Sequence, residues 1–380
     1  MGLLGLSGCG SPSSASMEMS SQVSTEADAT VAEQTELVKT GSMELQYAEN
    51  FTVDYYEGGY KLLTTLPDDK RYLLVPEGQG VPADLDEDVS ILQEPLQNIY
   101  LVASGVMDMF ASLDAVDQIR FSGQKQENWY IQTAKDAMAA GNMIYAGKYS
   151  KPDYELLVSE GCDLAIENRM ITHSPEVVEM LQSFDIPVMI EYSSYEQHPL
   201  GKVEWVKFFG ALTGREAEAE EAFAEQTEIL EKVESGEKTG KTIAFFYVTS
   251  NGLIQVRQST DYIPKLIELA GGRYIFENLE DSGSGRSTLN MQIEDFYAGA
   301  KDADILIYNS SIDGGVTTLD ELIGKCTILK DFKAVQEGQV YCTTNDMYQQ
   351  SMAIGYLLQD MHTVLTDDDT AKLRYLFLLQ

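Results

Sequence analysis

Positive charge is the scarce resource in this chain. Its 380 residues hold 26 Lys and Arg against 61 Asp and Glu, a formal net charge of −35. A cation placed in a loop between buried strands is therefore more informative than any acid. Lys125, Lys148, Arg169, Arg257 and Arg286 all occupy such places, where the edge of a wound α/β sheet meets a ligand. Aromatic side chains are interleaved with them: Trp129, Tyr130, Tyr145, Tyr149, Tyr192, Tyr195, Tyr262 and Tyr348. Cations beside ring faces suit an anionic small molecule with a broad surface to cover. Arg257, beyond the strand 242–248 and its Asn251-Gly252 turn, and Arg169, just past the strand ending at Ile166, lead this set. Lys148, Arg286, Tyr145, Trp129 and Tyr192 follow as candidate ligand contacts.

Catalytic patterns are missing around them. The run Ser235 to Thr242 ends in Gly240-Lys241-Thr242, yet Ser235 stands where a phosphate loop needs glycine, and the segment leads into a strand rather than opening a helix. Gly283-Ser284-Gly285-Arg286 lacks the third glycine of a dinucleotide fingerprint and reads as a mobile loop. His173, His198 and His362 are not spaced for a metal, which also disfavours a zinc or manganese carrier, and no G-x-S-x-G elbow occurs. No metal site, cofactor or catalytic residue is expected. The net charge repels phosphate backbones and anionic headgroups, so nucleic acid is excluded as a partner. No apolar run reaches the 18 residues of a helical membrane span.

Four cysteines, Cys9, Cys162, Cys326 and Cys342, are too few and too dispersed for a disulfide framework. Cys162, beside Leu164-Ala165-Ile166, reads as a small buried hydrophobe, and spacing leaves open whether Cys326 and Cys342 pair. Cys9 ends Leu6-Ser7-Gly8-Cys9, which resembles a bacterial lipobox, in which the thiol takes a diacylglycerol. Residues 10–42 are rich in Ser, Thr, Ala and Glu and without an aromatic ring, and are expected to form a flexible tether. The charged opening and most of the apolar stretch of an export signal are absent before Cys9, so the true start is expected upstream of Met1.

The elements that must hold the cations follow from periodicity. Residues 44–75 alternate with period two around Gly58-Gly59, which predicts an entry hairpin. Short apolar strands then alternate with helices as far as 192, the pattern of a parallel sheet covered on both faces. Residues 199–235 carry no strand signal, and their helical spacing predicts a bridge that Gly214 breaks in two. After Gly240 the alternation resumes, with a helix expected from Tyr348 to Val364. The fold expected is α/β: two doubly wound, Rossmann-like lobes joined by a long helix, with a ligand cleft between them. The divisions are 1–42 for lipobox and tether, 43–197 for the first lobe, 198–235 for the bridge and 236–380 for the second lobe. The halves echo one another: Glu155 leads through one helix to Asp163-Leu164-Ala165-Ile166, and Glu294 leads likewise to Asp304-Ile305-Leu306-Ile307.

Lys151-Pro152-Asp153-Tyr154-Glu155, Asp163 to Ile166, Ile186-Pro187-Val188, Ala270-Gly271-Gly272 and Ala303-Asp304-Ile305 occur in an order that, over about residues 85–365, resembles a known family. It is that of the substrate-binding lipoproteins of bacterial ABC importers for iron-siderophore, haem and cobalamin. The stretch from Ser193 to Trp205 is similar to the entry of such proteins into their bridging helix. The resemblance implies no catalysis, an iron chelate, haem or corrinoid as ligand, and ABC permease subunits as partners. It further implies a monomer held outside the cytoplasm on the membrane by its lipid alone, with small closure on binding. It places permease-docking glutamates at Glu155 and Glu294. The alternative from another class is a bilobal metallocluster or chelatase-like enzyme, which requires Cys162, Cys326 and Cys342 to converge.

Overall fold

The computed structural model describes residues 37–279, 287–310, 315–368 and 370–380. Cys9 and Arg286 lie outside the described residues. The expected entry hairpin is the middle of a five-stranded sheet, in order Lys39–Ser42, Phe51–Tyr56, Lys61–Thr65, Lys70–Val75 and Val89–Gln93. Residues 39–42, expected in the tether, instead form its edge, because they find an antiparallel partner in Phe51–Tyr56.

Strands Ile99–Leu101, Ile119–Ser122, Ile144–Tyr145, Leu164–Asn168 and Val188–Glu191 build the first-lobe sheet. All its pairings are parallel, and its spatial order counted along the chain is 5-4-1-2-3. This is the doubly wound order, with the reversal between the first and fourth strands. Leu164 and Ile166 enter the main core while Ala165 enters a second cluster on the opposite face, as the period of two requires in a sheet covered on both sides.

The bridge is two helices, Pro199–Thr213 and Glu216–Glu234. Gly214 separates them in the left-handed region at φ 70°, where a side chain would be strained. Pro199 suits the first turn, and His198 Nδ1 accepts the Leu200 N–H at 3.2 Å. The first of these helices is buried on every side, so its charged residues Lys202, Glu204 and Lys207 are buried too.

The second lobe has a seven-stranded mixed sheet. Its parallel part is Arg273–Tyr274, Thr242–Val248, Ile305–Tyr308 and Val340–Thr343. Ile254–Arg257, Thr288–Met291 and Leu376–Leu378 add antiparallel strands that the alternation did not reveal. Asn251-Gly252 turns a hairpin, so Arg257 ends a strand rather than lying in a loop. The helix expected from Tyr348 begins at Ile354, after a 3-10 turn over Ser351–Ala353.

The echo between the halves has a structural reason. Asp163 accepts the Gln97 and Asn98 N–H groups at 2.9 and 2.8 Å, just ahead of strand Ile99–Leu101. Asp304 accepts the Thr242 N–H at 2.7 Å, at the start of its own parallel neighbour. Each aspartate ties the entry of its strand to the entry of the next. The preceding helices are Tyr154–Ser159, of six residues, and Ile293–Ala300, of eight, which takes up the longer spacing in the second half.

The main hydrophobic cluster runs without a break through the N-terminal sheet, the bridge and both lobes, from Phe51 through Trp205, Phe209 and Phe223 to Leu358.

Candidate functional site

Parallel strands end together, and the loops beyond them carry most of the side chains singled out above. In the first lobe this edge presents Lys125, Tyr145, Arg169 and Tyr192. In the second lobe it presents Asn309, Ser310 and the segment leading to Tyr348. The two edges meet: the Gln349 amide donates to the Asn128 carbonyl at 2.8 Å and accepts the Tyr130 N–H at 2.8 Å. The Asp108 carboxylate accepts the Met352 N–H at 2.7 Å. These contacts bring the carboxyl ends of the two parallel sheets together, the position where wound sheets bind ligands.

Arg169 is half-buried, with its guanidinium over the Tyr195 ring at 4.7 Å. Lys125 is exposed and stands 6.0 Å from the ring centre of the exposed Tyr145. Lys148 is exposed on the short antiparallel pair Gly147–Lys148 with Lys151–Pro152. That pair needs Gly147, since a Cβ there would meet the Lys151 carbonyl oxygen at 2.3 Å. Tyr192 is 6% exposed and packs edge-on against Tyr195. Trp129 requires a correction: it is sealed at 0% exposure, with its indole N–H donating to Ser122 Oγ at 3.0 Å. It braces the loop after Ile119–Ser122 and offers no face to a ligand, because the apolar ring gains more from the core than from the cleft.

Arg257 ends strand Ile254–Arg257 of the second lobe. It is 8% exposed and donates to Asp261 Oδ2 at 3.3 Å and to the Tyr348 hydroxyl. The Asn309 amide donates to the same hydroxyl at 2.6 Å. The Tyr274 hydroxyl holds the Arg257 main chain, donating to its carbonyl at 2.9 Å and accepting its N–H at 3.0 Å. Sequence reasoning missed Lys202, which lies over the Tyr262 ring at 4.7 Å. The available signal was its position within a helix apolar all round, where any charge must be buried.

Glu155 and Glu294 are exposed in the first turns of helices Tyr154–Ser159 and Ile293–Ala300, one on each lobe. Cys162 packs in the outer first-lobe cluster while Cys326 and Cys342 lie in the main core. Burial pushes the Cys162 thiol up to about 12. Cys162, Cys326 and Cys342 are not joined in a disulfide, and no three His, Cys, Asp or Glu side chains group to hold a metal among the described residues. A cavity of about 470 Å³ beside the bridge is lined by Asp108, Glu218, Glu221 and Glu225, a charge that repels anions.

Two α/β lobes with facing carboxyl edges, joined by helices and presenting cations against rings, define a binding protein for a small molecule. The chain belongs to the periplasmic binding protein family, whose model matches residues 101–347. It is 24% identical over 353 residues to an uncharacterised lipoprotein of Methanocaldococcus jannaschii, covering 84% of this chain and 81% of that one. Its fold is shared with a possible iron-binding periplasmic solute-binding protein from Staphylococcus epidermidis, at TM-score 0.55 and 17% identity over 71% of this chain and 98% of that one. A periplasmic haem-binding protein of Vibrio cholerae matches at TM-score 0.56 and 15% identity, covering 70% and 98% respectively. Proteins of this family bind solutes for ABC transporters.

Proposed function

We propose that this protein captures an iron-siderophore or related metal chelate outside the cytoplasm and delivers it to an ABC permease, without catalysis. In this reading it is anchored to the membrane through lipid on Cys9 and works as a monomer. Its lobes are 43–197 and 236–380 about the bridge 198–235. The observation that carries the reading is the pair of facing sheet edges, each with a guanidinium against a tyrosine: Arg169 over Tyr195 and Arg257 beside Tyr348. Such pairs give local positive potential and a ring surface for an anionic chelate on a body of −35. Lys148, Tyr145, Tyr192 and Arg286 belong to the same proposed lining. Solved proteins of the same fold support the ligand class, since their names record iron, haem, ferric hydroxamate and molybdate.

Titration with ferric catecholate, ferric hydroxamate, haem and cobalamin, read by tyrosine and tryptophan fluorescence, tests it. At least one is expected to quench at micromolar concentration; silence from all four rejects the chelate assignment. Glu155 and Glu294 serve as the two permease anchors, one carboxylate per lobe, reporting whether the cleft is closed. Charge reversal by E155K or E294K is expected to cut uptake at least about tenfold while ligand affinity stays unchanged. Equal loss of both would place these residues in ligand binding or folding instead.

A further inference from the structure

Lys202 is the fourth residue of helix Pro199–Thr213 in the bridge and is 3% exposed. Its ammonium rests over the Tyr262 ring but makes no hydrogen bond and no ion pair within 4.0 Å among the described residues. The acids that act on it, Glu191 first and then Asp261, do so from beyond 4.0 Å and commit oxygens to other donors. Glu191 Oε2 accepts the Ser193 N–H and hydroxyl at 2.9 and 2.6 Å. Asp261 accepts the Ile263 N–H at 2.9 Å through Oδ1 and Arg257 at 3.3 Å through Oδ2. Asp108 Oδ2 accepts the Met352 N–H. The described side-chain atoms that are both sealed and unpartnered belong to Glu167, Thr344, Asp346 and Ser351. Lys202 Nζ is not one of them, so its ammonium is not fully sealed from solvent.

A desolvated ammonium with no acceptor is costly, and an apolar residue would serve packing better. An incoming anionic oxygen removes that cost, because a charge-assisted hydrogen bond is strong where water is scarce. We propose that Lys202 is a ligand-binding residue whose ammonium receives a carboxylate or oxyanion oxygen of the cargo, over the Tyr262 ring and beside Tyr348 and Arg257. The proposal rests on the binding-protein reading and narrows its ligand to one with an exposed anionic group. Lys202 belongs to the bridge, Tyr262 and Tyr348 to the second lobe, and Glu191 ends strand Val188–Glu191 of the first lobe.

The test uses the full chain, with calorimetric titration and thermal unfolding. Citrate, ferric citrate and molybdate are the anionic probes; ferrioxamine B and cyanocobalamin carry no net negative charge. At least one anionic probe is expected to bind the wild type. K202M should weaken it at least about tenfold, the effect of losing one hydrogen bond to a charged group, and K202R should retain most of the affinity. Unliganded K202M should unfold at the same temperature or higher, which a lysine with a structural role would not allow. The inference is overturned if no anionic probe binds, if K202M binds as the wild type does, or if K202M loses stability and K202R fails to rescue binding. Chelates bound equally by wild type and K202M would sink the Lys202 site while leaving the importer reading intact. Lys202-dependent binding of citrate or molybdate without any iron complex would do the reverse.

Discussion

At the scale of a residue, Glu167 sits second from the end of strand Leu164–Asn168, with 0% exposure and no partner for either carboxyl oxygen. Burial pushes its carboxyl up to about 8 from 4.5, so it is mostly neutral at pH 7. The unfolded chain ionises this group from about pH 4.5 while the fold resists until about 8. Its contribution to stability is therefore fully present below pH 4.5 and declines until pH rises past 8. The interval, 8 − 4.5, amounts to something on the order of 5 kcal/mol. E167Q keeps the shape and removes the charge, so the difference in thermal stability between E167Q and wild type should grow from pH 5 to pH 8 in favour of the variant. A constant difference would contradict the buried acid. Single residues were unevenly legible. Arg169 could be placed at a strand end by local pattern, but Trp129, Lys202 and Glu167 owe their roles to neighbours far away in the chain.

At the scale of elements, two carboxylates hold the N-terminal segment to the bridge. Glu204, at 0% exposure, accepts the N–H groups of Gln46, Tyr47 and Ala48 at 2.8 to 3.1 Å. Glu196 accepts those of Glu49 and Asn50 and the Trp205 indole N–H. E204A would leave the buried Ala48 N–H and the half-buried Tyr47 N–H without their acceptor, and a cost of about 2–4 kcal/mol is expected for losing these charge-assisted bonds. Denaturant unfolding reads the cost, and hydrogen exchange should show protection lost first over 46–50; a change below about 1 kcal/mol would deny the clamp its role. The bridge itself was readable, because Gly214 and His198-Pro199 are local signals. The antiparallel strands of the second lobe were not, since Arg257 and Thr288 pair although they stand 31 positions apart in the chain.

At the scale of the molecule, one continuous core runs through the N-terminal sheet, the bridge and both lobes. Phe51 meets Trp205 at 4.9 Å and Phe110 meets Phe209 at 5.6 Å, joining the N-terminal sheet, the bridge and the first lobe. Calorimetry should therefore record one cooperative unfolding transition, and two resolved transitions would contradict a shared core. Ligand saturation should alter the radius of gyration by less than about 1 Å, as in preorganised binders. Small-angle scattering decides this, and a larger contraction would show that the bridge bends.

Periodicity, capping residues and charge scarcity act over a few neighbouring residues, so the amino-acid order alone determined the α/β alternation, the broken bridge and which cations deserved notice. Register between distant strands, the burial of Trp129 and the isolation of Lys202 depend on what the rest of the chain packs against them. Those were decided only in three dimensions, because the solvation of a side chain is a property of its surroundings and not of its place in the sequence.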